Sequence, residues 1–172
     1  VTVSARLVKI SAGPVVLGVA VVDRKAASAS SSPPSASLGT GEVAVAYIER
    51  QSGNVFSYLT RAKTLSRTSN RTIPGIQSAS WLPDGTLAFV RYLSGANFET
   101  VNTYALRANG SDGFFLPQNL AGIAVSSTSV LTLASGVNGS TASLLRTDGT
   151  RSTTVFATPL SSLRVSFAGK AQ

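Results

Sequence analysis
The sequence predicts an all-β protein built as an array of four-stranded antiparallel units. Three observations carry that reading. Helical periodicity is absent: no stretch sets apolar residues at three-to-four spacing between a cap and a glycine stop. Short runs of Val, Ile, Leu, Phe, Tyr and Thr are instead broken by Gly, Asn, Asp, Pro and Ser. A strand–turn–strand unit also recurs at a spacing of about 40–45 residues.

The elements follow in chain order. Ile10 to Val22 is the most apolar run, and Pro14 and Gly18 between Val-rich flanks fit a buried strand. Arg6 and Lys9 ahead of it also outline an export signal, the alternative reading, although Asp23-Arg24-Lys25 stands where a cleavage region is small and neutral. The run falls short of the ~20 residues a spanning helix needs, so no membrane span is expected. Residues 26–41 are Ala-, Ser-, Pro- and Gly-rich and read as a flexible insertion or linker. Val43–Ile48 and Val55–Leu59 flank the turn Gln51-Ser52-Gly53-Asn54. Ile76–Leu82 and Thr86–Leu93 flank Pro83-Asp84-Gly85, and Val101–Leu106 leads to Asn109-Gly110. Gly122–Ser126, Val130–Ala134 and Ala142–Leu145 follow; Asp148-Gly149 then separates Thr153–Phe156, and Leu163–Phe167 comes last.

Ala79 to Val90 is the clearest copy of the repeat, Gly122 to Leu133 a weaker one, and Leu163–Phe167 starts another. Units at 15–71, 76–117 and 121–158, with the start of one more at 162–168, match the blades of a β-propeller in spacing and strand number. The whole chain, 1–172, is expected to form one β-propeller-like domain. Closed propellers have about 4–8 blades, so the array is expected to be incomplete. The chain does not open on Met, as a processed protein, an alternative start codon or a fragment would each explain; the incomplete array agrees with a fragment, and its open strand edges would favour self-association.

The most specific residues are Trp81, Pro83, Asp84 and Gly85. Pro83 presets one turn torsion, Asp84 hydrogen-bonds nearby backbone, and Gly85 takes the positive torsion that reverses the chain. Residues 79–90 resemble the repeat of TolB-type, WD-repeat-like propellers, whose signature is Trp-Ser-Pro-Asp-Gly before an apolar strand. Leu82 stands in place of the serine, and Leu87-Ala88-Phe89 matches the strand. Asn109-Gly110 and Asp148-Gly149 resemble that family's later turn. The resemblance implies an exported, periplasmic or cell-surface bacterial protein that binds a protein partner through its funnel and loop faces. Similar propellers also gate prolyl-oligopeptidase-type hydrolases. The alternative reading is therefore the propeller domain of such an enzyme, with catalytic Ser, Asp and His outside these residues.

Composition narrows the chemistry. Hydrophobic residues make up 43%, enough for a core, and charged residues only 13%. With no His and no Cys there is no structural zinc site, no iron–sulfur cluster, no disulfide and no Ser-His-Asp or Cys-His nucleophile. The redox compartment stays open. The seven acids are Asp23, Glu42, Glu49, Asp84, Glu99, Asp112 and Asp148. Asp84 and Asp148 are explained by turns and Glu49-Arg50 by a hairpin end, so paired-carboxylate catalysis is not expected. Asp112-Gly113 lacks the alternating acids of a calcium loop. Trp81 reads as a packing residue between blades rather than a ligand platform. Asn70-Arg71-Thr72, Asn109-Gly110-Ser111 and Asn138-Gly139-Ser140 match glycosylation spacing, as Ser/Thr/Asn-rich turns do by chance.

The net charge is +8, mostly from scattered cations. Arg61, Lys63, Arg67 and Arg71 form one denser stretch without an acid, which extended chain would array on one side. Tyr47, Phe56 and Tyr58 nearby offer stacking surfaces, so an acidic polymer is a candidate ligand. A solvated strand edge that blocks aggregation uses the same residues. No glycine-rich phosphate loop, helix-turn-helix or RNA-recognition motif is visible. The expectation is a non-catalytic binding scaffold without a cofactor.

Overall fold
The computed structural model describes residues 7–24 and 41–167. They form three four-stranded antiparallel sheets and, among the described residues, no helix. The first sheet holds β1 (Ala20–Arg24), β2 (Glu42–Ile48), β3 (Val55–Leu59) and β4 (Thr64–Arg67). The second holds β5 (Ile76–Trp81), β6 (Leu87–Ser94), β7 (Thr100–Arg107) and β8 (Phe114–Phe115). The third holds β9 (Leu120–Val125), β10 (Ser129–Gly136), β11 (Gly139–Arg146) and β12 (Thr153–Thr158). Strands follow sequence order in every sheet, the meander that short turns produce. The array does not close. It has the form of propeller-like blades standing side by side.

Register shows why the sheets stack. Residues directly opposite across a ladder share a face. In the second sheet Ala79, Val90 and Tyr104 form one row, and Ser80, Phe89, Ala105 and Phe114 form a row on the other face. The first row joins Val16, Ile48 and Val55 of the first sheet and its approach in one buried cluster. Phe89 and Ala105 of the second row join Leu120, Val130 and Leu145 of the third sheet in another. The middle sheet thus carries an apolar row on each face, and each neighbour covers one of them.

The inner ends are joined by backbone. Val16 N–H donates to Ile48 O at 2.9 Å, and Ala79 N–H donates to Leu17 O at 2.8 Å. The approach to β1 therefore bridges to β5 of the next sheet, in parallel, at Leu17–Ser78. Gly18 permits this contact. Its φ is +105°, and a Cβ there would lie 2.0 Å from Ala79 O.

Two expectations change. Ile10–Val22 is not a continuous buried strand: regular pairing begins at Ala20, and Leu17 and Val21 are exposed. The chain turns at Gly18 to touch the second sheet, which breaks the run. Leu163–Phe167 carries no strand pairing; Val165 instead lies beside Gly122 and β9. β4 and β8, which no distinct apolar run marked, complete the four strands expected of the first two units. The insertion expected at 26–41 lies, except for Gly41, outside the described residues. No helix among the described residues is long and apolar enough to cross a membrane.

Candidate functional site
Trp81 ends β5, and its indole Nε1 donates to Gly18 O at 3.2 Å, tying the second sheet to the approach of the first. The turn after it is closed by Gly85 N–H donating to Leu82 O at 2.9 Å. Asp84 Oδ1 accepts from Thr86 N–H at 3.0 Å and from its hydroxyl at 2.8 Å. Pro83 opens the turn, and its three bonds are made through Asp84 and Gly85. Gly85 sits at φ +68° against β1, where a Cβ would come 2.9 Å from Val22 Cγ2. Asn109 and Asp148 repeat the device, accepting from Ser111 and Thr150. The Thr150 hydroxyl bond holds the Asp148 carboxyl below its ordinary pKa.

Asp84 and Thr86 also line a cavity of about 520 Å³ between the first and second sheets, with Arg24, Thr68, Arg107 and Asn109 around it. Arg107 Nε donates to Asp112 O at 3.0 Å, so its orientation is set by the loop after β7.

The basic stretch is divided. Arg61 and Lys63 lie in the turn between β3 and β4, and Arg67 ends β4, each residue of which is exposed. Glu42 accepts from the backbone N–H groups of Arg61 and Ala62 at 2.8 and 3.2 Å, which puts a carboxylate beside this stretch. Arg71 leaves the sheet. Its guanidinium donates to Tyr104 Oη at 2.6 Å and to Asp112 Oδ1 at 2.7 Å, and it lies over the Tyr104 ring. Tyr47 and Phe56 stack on one another at 5.5 Å, and Phe56 pairs with Arg67.

A second constellation lies between the inner strands β5 and β9. Ser78, Ser80, Arg91, Gly122 and Arg164 line a cavity of about 300 Å³. Ser78 and Ser80 project from the face of the second sheet that meets the third, in register with Arg91 and Phe89. Arg91 Nη2 donates to Leu120 O across the sheet–sheet junction. Its Nε, and Thr103 Oγ1 opposite on the ladder, are buried without partners among the described residues.

Six of the seven carboxylates have other tasks, and Asp23 is exposed on β1. Besides Glu42, Asp84 and Asp148, Glu49 accepts from Ser52 at 2.6 Å, Glu99 from Asn97 N–H at 2.9 Å, and Asp112 from Arg71.

No family model, curated protein or solved structure matches the chain.

The sequence singled out the turn but not the inner cleft. Arg91 and Arg164 are isolated cations in sequence. What marks them is convergence: a strand of one sheet and the segment following another bring them to the same cavity. The available signal was Ser78, Ser80 and Arg91 at alternate positions of two paired strands, which becomes legible only once their register is known.

Proposed function
We propose that the chain is a non-catalytic binding scaffold of propeller-like blades, of the TolB-like kind in an exported or surface setting. The role of the carboxylates carries this reading. In residues 41–167 each one holds a turn, a backbone amide, a hydroxyl or an arginine, Asp23 stands alone among the described residues and exposed on β1, and the sequence has no His or Cys to act in their place. The signature turn built by Pro83, Asp84 and Gly85, packed against β1, supports the family reading.

The binding surface is the outer face of the first sheet. Val21, Val45, Tyr58 and Leu65 form one row across its four strands. Val21 is 62% exposed and Leu65 43%. Apolar rows of this kind are covered by the neighbouring sheet at both internal junctions. The occupant that fits is a further β-sheet with an apolar face, supplied by a partner or a second copy. Sedimentation of the chain and of Val21→Lys/Leu65→Lys tests this. The expected result is concentration-dependent association of the unsubstituted chain, abolished in a variant with unchanged circular dichroism. An unsubstituted chain that stays monomeric and binds no apolar dye at this face overturns it.

A further inference from the structure
We propose that the inner cleft between the second and third sheets binds a compact oxyanion, a small molecule with a phosphate or carboxylate head. Arg91 is half-buried, yet no carboxylate lies within ion-pair distance of it among the described residues, where the ion pairs are Arg71–Asp112 and Arg146–Asp148. A carbonyl, Leu120 O, orients its guanidinium without neutralising it. A cation withdrawn from water without a counter-charge is costly. Arg164, exposed at the rim, places a second positive charge on the same cleft, and an anion between the two would be attracted by both.

The remaining polar side chains can each donate. The hydroxyls of Ser78 and Ser80 and the guanidinium of Arg164 have no partner among the described residues, and no acid lines the cleft. Guanidinium groups with hydroxyls suit an oxyanion, which accepts several charge-assisted hydrogen bonds at once. The size of the cleft suits a small ligand. The cavity of about 300 Å³ shares Ser78 and Arg91 with a second of about 210 Å³, bordered by Tyr92, Leu93 and Val101. Together they fall in the lower range of small-molecule sites, which begins at about 300 Å³. The head group lies between Arg91 and Arg164, and the body of the ligand extends toward Val101. This site is remote from the outer face of the first sheet and stands or falls separately from the scaffold reading.

Calorimetric titration of the 172-residue chain at low ionic strength tests it, with inorganic phosphate, succinate and chloride as probes. Saturable binding of phosphate or succinate is expected, weakened about tenfold or more by Arg164→Gln. Arg164 makes no hydrogen bond or ion pair among the described residues, so its substitution leaves the fold intact. Ser78→Ala weakens binding less, and Arg67→Gln on the exposed β4 leaves it unchanged. Preference for phosphate or for succinate identifies the head group, and either supports the site. Failure of both to saturate, equal affinity in Arg164→Gln, or displacement by equimolar chloride overturns it.

Discussion

Gly18 has no side chain because a carbonyl oxygen occupies its place. A Cβ 2.0 Å from Ala79 O at φ +105° forces the first two sheets apart. Gly18→Ala is therefore expected to destabilise by about 2 kcal/mol or more in urea unfolding. Gly136→Ala, with nothing within 4 Å, should cost little. Trp81→Phe keeps most of the ring packing and removes the bond to Gly18 O; its expected cost is about 1 kcal/mol by circular dichroism. Asp148 supplies a pH dependence. Its folded pKa is depressed, chiefly by the Thr150 hydroxyl and then by Thr150 N–H. The stabilisation is present above the ordinary carboxylate pKa, about 3.9, and is lost as pH falls through the lower folded value. Asp148→Asn keeps a turn acceptor, so its urea midpoint should fall less steeply than that of the unsubstituted chain below about pH 4.

Among the elements, β4 and the segment after it show how a basic stretch is divided. β4 is exposed along its length and keeps Arg67 at its end. The next residues cross to the second sheet, where Tyr104 Oη accepts from Arg71 and also from Gly113 N–H at 2.9 Å. Tyr104→Phe removes the acceptor for both, whereas Asp112→Asn weakens an ion pair whose carboxylate is 96% exposed. Tyr104→Phe is therefore expected to lower stability by about 1–2 kcal/mol and Asp112→Asn by under about 1 kcal/mol. A double-mutant cycle between Arg71 and Tyr104 in urea unfolding checks whether the two act together.

At the scale of the molecule, protection should decline from the middle sheet outward. Phe89, Val90, Ala105 and Leu106 are fully buried between two sheets, whereas β12 is almost wholly exposed. Hydrogen exchange is expected to be slowest in β6 and β7 and fastest in β4 and β12; uniform protection across the sheets would contradict this ordering. Much of the architecture was legible in sequence because its causes are local. Period-two apolar runs and Asx-Gly turns determine strands, hairpins and therefore meanders, as Asp84-Gly85 and Asp148-Gly149 illustrate. Leu163–Phe167 has the same apolar character and forms no strand, since a strand requires a partner that composition does not name. The sequence by itself determined an all-β array, its turn chemistry and the absence of imidazole and thiol groups. The tertiary structure alone decided which sheet faces meet, that Arg71 binds Asp112 and Tyr104, and that Arg91 and Arg164 share a cleft. Those outcomes depend on contacts between residues far apart in the chain, whose distances are set by sheet stacking rather than by neighbouring residues.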